Sequence, residues 1–212
     1  MRKLLNQYHA RVTFYITKFD SLSADEIKML HDLQNDGHEI ASHGALHVQA
    51  ESYIKAHSYK EYLANEIEPS ISSMKKAGFD PVSFAYPYGS KYWFTDYLLL
   101  QKFKSTRGVA SMKNRSSLAD VDETFYDFNG NRKLSSIEID VVARLTQTEI
   151  ISAMERANRN NEVLLLSGHV PVQKGATTPY SFERSFLEFI LREANDRHLD
   201  FYRIQDLSSG QD

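Results

Sequence analysis

Apolar strand-like runs alternating with helical stretches along the whole chain predict an α/β protein, either a (β/α) barrel or a doubly wound sheet. Three observations carry that expectation. Runs such as residues 12–17 and 162–166 are rich in β-branched, leucine or aromatic residues, and helical spacing separates them, which suits parallel strands joined by right-handed crossovers. Ser23-x-x-Glu26 and Thr146-x-x-Glu149 have the form of capping boxes that open helices. Polar or special residues also gather where strands end: His43 with His47, the Tyr86-Pro87-Tyr88-Gly89 turn, Asp140 and His169. Both architectures build their sites at the carboxyl ends of strands.

In chain order, Leu4, Leu5 and Tyr8 fall at helical spacing, and residues 12–17 follow as a strand. After the first capping box, Ile27, Leu30 and Leu33 form the buried stripe of a helix that stops at Asp36-Gly37. Residues 38–41 alternate polar and apolar, predicting a half-buried strand that aims Ser42 and His43 at one end of the sheet. A long helix is expected over residues 59–77, with Leu63, Ile67, Ile71 and Met74 on one face, a kink at Pro69 and a stop at Gly78. Residues 81–89 read as a short strand running into an aromatic turn, 93–103 as a helix and 105–110 as a strand. Residues 111–136 form a long irregular connection, and such loops are usually functional or mobile. A strand over 137–142 and a helix to about residue 160 come next. The near-continuous apolar run 162–166 predicts a strand buried on both faces. Phe182, Phe186, Phe189 and Ile190 line a final helix, and residues 201–204 a final strand.

Composition narrows the function. The 212 residues, 42% of them hydrophobic and 12% aromatic, are enough for one domain spanning 1–212 with a full core, and no internal repeat divides them. A formal net charge of −3 argues against a general grip on nucleic acid or an anionic membrane and favours a neutral or weakly charged ligand. The absence of cysteine removes disulfides, thiolate ligands and cysteine nucleophiles, leaving histidine and carboxylate to bind any transition metal. No run approaches the ~18 apolar residues of a membrane span, and residues 1–7 lack the apolar core of a signal peptide. On a helical turn, residues four apart share a face, so His43 and His47 would converge on one divalent cation; the alternative is that two of eight histidines fall four apart by chance.

Taken together, Ser42-His43-x-x-x-His47, Phe84-Ala85-Tyr86-Pro87-Tyr88-Gly89 and Leu165-Leu166-Ser167-Gly168-His169 resemble the polysaccharide deacetylase family, carbohydrate esterases with the NodB homology domain. The resemblance runs from about Leu4 to the end of the last strand, with three motifs in the family's order. It implies a distorted (β/α) barrel and the removal of acetyl groups from N-acetylated, or sometimes O-acetylated, polysaccharide with a divalent metal, most often zinc. Under that resemblance His43 and His47 are metal ligands, and the Tyr88 backbone N–H helps hold the developing oxyanion. His169 is the general acid, and Asp140 orients the site. Tyr86, Tyr92 and Trp93 become candidates to stack on sugar faces. The bland alternatives are a turn aromatic at Tyr88, a structural histidine at 169, an exposed carboxylate at 140 and core aromatics around the turn.

The chain also departs from the pattern. The family's first strand ends in Thr-Phe-Asp-Asp-Gly, which supplies the catalytic base and a third metal ligand, and no Asp-Asp pair occurs in these 212 residues. Ala85 stands where the third motif commonly has arginine. With the first strand missing, weak metal affinity and poor activity are expected, and the open strand edges invite pairing with a second copy of the chain. Three readings follow: a metal-dependent deacetylase, a non-catalytic glycan-binding or assembly protein descended from one, and a hydrolase of a non-sugar amide. A secreted or cell-envelope location is expected if a segment precedes Met1, and a cytoplasmic one otherwise.

Overall fold

Four short parallel strands, Thr13–Ile16, Glu39–Ser42, Ser83–Ala85 and Ser105–Val109, lie side by side in chain order. They belong to one of two units into which the chain divides in the computed structural model, which describes residues 1–113 and 115–207. This first unit holds residues 11–108, 130–133 and the C-terminal stretch from 203; the second holds 1–10, 109–129 and 134–202.

In the first unit the predicted capping box forms. The Ser23 hydroxyl accepts from the Glu26 N–H at 3.3 Å, the Ser23 N–H donates to the Glu26 carboxylate at 2.8 Å, and helix Ala24–Asn35 follows. Gly37, at φ +93°, turns the chain into Glu39–Ser42. That strand is not half-buried as the alternation predicts: all four residues are buried. Strands flank it on both sides, Ile40 packs with Met74 and Phe79, and Glu39 on the opposite face accepts from the Thr13 hydroxyl at 2.6 Å. A buried carboxylate satisfied in this way looks like a surface residue in the sequence.

The single helix expected over residues 59–77 is three helical pieces. Helical residues Tyr59–Tyr62 lead into a π-helical turn, Leu63–Ile67, and then helix Glu68–Lys76, with Pro69 in the first turn, where its missing N–H costs nothing. The helix expected over 93–103 shrinks to Thr95–Leu99, opened by Thr95, whose hydroxyl bonds both the N–H and the carbonyl of Tyr92. The strand expected at 201–204 does not form, and Ile204–Leu207 is helical. Its backbone donors go to side chains instead: Ile204 N–H to the Thr13 hydroxyl at 2.9 Å and Gln205 N–H to Glu39 at 3.0 Å.

In the second unit, helix Gln147–Asn160 opens on the second capping box and ends at Asn161 in the left-handed conformation. Strands Lys133–Glu138 and Leu166–Ser167 pair in parallel, with Ile137 opposite Leu166. The first of these starts four residues earlier than the strand predicted at 137–142, and residues 141–143 form a 3₁₀ turn instead. The single buried strand expected at 162–166 is two pieces. Val163–Leu164 pairs antiparallel with Phe125–Tyr126, so the chain changes partners at Leu165, whose N–H donates to Thr124 and whose carbonyl accepts from Ile137. Phe182 sits in strand Ser181–Glu183, paired with Val170–Val172, and helix Arg184–Asp196 follows. No helix among the described residues is long and apolar enough to cross a membrane.

Arg156 ties this unit together. Its guanidinium grips Glu162 through two bonds of 2.9 and 3.1 Å, reaches Asp122 at 2.7 Å and the Ala119 carbonyl at 2.9 Å, and lies 3.9 Å from the Phe125 ring centroid. The guanidinium holds the Glu162 carboxyl below its usual range. A lowered carboxylate pKa stabilises the fold above the unfolded value and ceases to do so as pH falls through the folded one. Arg156→Ala is therefore expected to cost roughly 3 kcal/mol at neutral pH, a difference that narrows toward pH 3, as checked by urea unfolding at both pH values.

Candidate active site

Strand Glu39–Ser42 delivers His43 at its carboxyl end, where the His43 N–H donates to the Ile16 carbonyl at 2.9 Å. The His43 ring nitrogen Nδ1 lies 2.8 Å from the Ala85 carbonyl. A carbonyl only accepts, so Nδ1 carries the proton and the Nε2 lone pair is left to bind elsewhere. That lone pair faces the Nε2 of His47, 3.2 Å away. The histidines meet on an irregular loop and not on a helical turn, and Gly44 and His47 have φ of +83° and +63°. Two left-handed residues fold the loop back, and the nitrogens converge by that route.

The Pro-Tyr-Gly turn stands beside this pair. The Tyr88 ring centroid is 4.8 Å from that of His47, and the Tyr88 side chain is 61% exposed. Tyr88 itself is left-handed, at φ +58°, and the Gly89 N–H closes onto the Tyr86 carbonyl at 3.0 Å. Tyr86 is no sugar-stacking residue here. Its ring is 0% exposed in the core, and its hydroxyl donates to Asp96 at 2.9 Å; burial pushes that hydroxyl well above the ordinary phenol range. Tyr92 is half-buried with its ring 6.4 Å from that of Trp93, and Trp93 is 85% exposed.

Sequence reasoning missed two neighbours of the pair. Tyr15, on strand Thr13–Ile16, has its ring 6.4 Å from that of His43, and burial raises its hydroxyl far above the usual range. Arg107 stands in register opposite Ala85 on the adjoining strand, with its guanidinium 5.2 Å from the Tyr15 ring centroid. An arginine is thus present one strand away from the position where the third motif lacks it. Only strand register could have revealed that.

In the second unit the structure joins Asp140 and His169. Asp140 is 1% exposed; one carboxylate oxygen accepts from the His169 N–H at 3.1 Å and the other lies 2.6 Å from the His169 ring nitrogen Nδ1. The carboxylate therefore fixes the proton on Nδ1 and turns Nε2 outward, past Tyr180, whose ring centroid is 5.3 Å away. The exposed carboxylate considered for position 140 is buried instead. Glu138 adds a third potential ligand atom, and those of Glu138, Asp140 and His169 all lie within 4.8 Å of one another.

The histidine pair fits a divalent cation. Two nitrogens bound at about 2.0–2.1 Å to a tetrahedral zinc stand about 3.3 Å apart, close to the spacing found, and the tautomer of His43 is the one a ligand needs. The polysaccharide deacetylase family model matches residues 1–104, which include both histidines and the Pro-Tyr-Gly turn. Residues 1–104 match the polysaccharide deacetylase family. Among curated proteins no sequence matches it.

Solved structures resemble this chain over nearly its whole length. A peptidoglycan deacetylase from Bacillus subtilis is 15% identical, with a TM-score of 0.56 over 97% of this chain and 80% of that one. A family 4 carbohydrate esterase from Streptomyces lividans, solved with acetate, is 11% identical, with a TM-score of 0.56 over 98% and 85%. A family 4 pseudoenzyme from Bacillus anthracis is 11% identical, with a TM-score of 0.58 over 98% and 59%. At these identities the likeness is one of fold, and the fold is the distorted (β/α) barrel that the family resemblance implies.

Proposed function

We propose that this polysaccharide deacetylase homologue is a metal-dependent hydrolase that removes acetyl groups from N-acetylated, or O-acetylated, glycans. The observation that carries the reading is the 3.2 Å approach of the His43 and His47 Nε2 atoms, with the His43 Nδ1 proton engaged by the Ala85 carbonyl. These two nitrogens would hold the cation, zinc being favoured by neutral imidazoles in a chain without cysteine. A bound divalent cation polarises an acetyl carbonyl and lowers the pKa of water. Tyr88 would present its backbone N–H to the developing oxyanion. His169, oriented by Asp140, would donate a proton from Nε2 to the departing amine or alkoxide. Trp93, with Tyr92 beside it, offers an exposed aromatic surface on which a sugar ring can stack.

The known relatives in fold act on comparable material: one is a peptidoglycan deacetylase and another a carbohydrate esterase. Since no Asp-Asp pair occurs in the sequence, slow turnover is expected. The test is acetate release from chito-oligosaccharides by the purified chain. Slow release that a chelator abolishes and zinc restores is the expected result. Binding of the oligosaccharide with no acetate released at any zinc concentration would overturn the assignment and leave a glycan-binding protein descended from an esterase.

A further inference from the structure

Glu66 is a fully buried carboxylate that the reading above does not use. It sits in the π-helical turn Leu63–Ile67, where one extra residue per turn rotates it away from the direction a continuous α-helix would give. Its oxygens accept from the backbone N–H groups of Leu46 at 2.5 Å and Val48 at 3.2 Å, while its own carbonyl accepts from Ala45 at 2.9 Å. Two backbone donors of the loop thus end on one buried carboxylate, and a third ends on the same residue's backbone carbonyl.

The loop needs that anion. Gly44 packs so closely on the carboxylate that a Cβ there would collide with it, and His47 occupies a left-handed conformation that a non-glycine residue adopts only when its surroundings impose it. Without that acceptor, the N–H groups of Leu46 and Val48 would lose their partner, and the loop would relax to reach water. We propose that Glu66 is the positioning residue of the histidine pair: its buried carboxylate accepts from the N–H groups of Leu46 and Val48, on either side of His47, and so holds the His47 ring against His43 in cation-binding geometry. The inference rests on the reading of that pair as a metal site, and it adds a residue that touches neither cation nor substrate.

Glu66→Gln keeps size and removes charge, placing an amide NH₂ among donors. Glu66→Asp keeps charge and withdraws it by one methylene. Cobalt(II) binding by calorimetry, together with the visible spectrum of the bound ion, would be compared in these variants, in the unmutated chain and in His43→Ala, with circular dichroism as the check on folding. A folded Glu66→Gln protein is expected to bind cobalt about 10–100-fold more weakly, with an altered spectrum, and Glu66→Asp is expected to recover part of the loss. Folded Glu66→Gln that binds as the unmutated chain does, when His43→Ala does not bind, would overturn the role of Glu66. Equal binding by the unmutated chain and His43→Ala would overturn the metal reading instead. Amide hydrogen exchange in the unmutated chain decides the loop's anchorage if the variants fail to fold or no cation binds. The Leu46 and Val48 amides are expected to be protected, and exchange at unstructured rates would refute the proposal.

Discussion

His43→Ala should abolish zinc-dependent acetate release and weaken divalent-cation binding by more than the roughly 10–100-fold that loss of an outer partner costs. The substitution removes one of the two imidazole nitrogens that stand 3.2 Å apart, and a single remaining histidine holds a cation no better than many surface sites. It also leaves the Ala85 carbonyl without the ring N–H it accepts from, a loss of about 1–2 kcal/mol at a partly buried position. The variant should therefore melt slightly lower yet remain folded, which separates the chemical effect from unfolding. Calorimetric titration with zinc, acetate release and a thermal melt check the three parts. Retained acetate release would remove the histidine pair from the mechanism.

Asp140→Asn should lower kcat by about 10³–10⁴-fold with little change in KM, as carboxylate-to-amide changes do where a carboxylate orients a catalytic histidine. The carboxylate of Asp140 accepts from both the backbone and the ring of His169. Asparagine can still accept from the backbone N–H, but its nitrogen then faces Nδ1 and opposes the proton that the imidazolium must carry there. His169, the general acid of the proposed reaction, would lose its protonated form while the fold keeps its shape. Steady-state kinetics on an acetylated oligosaccharide tests this. Unchanged kcat would make Asp140 and His169 a structural pair.

Much of the scaffold was legible because it is written in short-range chemistry. Ser23 with Glu26, and Thr146 with Glu149, announce helices that the structure caps as expected, since a capping box closes within one turn. The candidate residues were legible too, because His43, the Pro87-Tyr88-Gly89 turn, Asp140 and His169 all follow apolar runs. The errors lie where a segment's state depends on distant neighbours. Glu39 reads as a solvent-facing residue until Thr13 and Gln205 are found bonded to it. Leu165 reads as the middle of one strand until its two sides pair with different partners. Tyr86 and Trp93 read alike as aromatics near a turn, yet one is buried against Asp96 and the other exposed.

The sequence by itself determined the alternating fold class, the two capped helices and the residues from which a site could be built. These rest on patterns repeated within a turn or a strand, where local hydrogen bonding and side-chain periodicity dominate. Only the tertiary structure decided how those residues meet: His47 reaching His43 through a left-handed loop, Arg107 standing opposite Ala85, and Glu66 accepting from the N–H groups of Leu46 and Val48. Each depends on strand register, a widened helical turn or the burial of a charge, and such terms are settled by the packing of segments far apart in the chain.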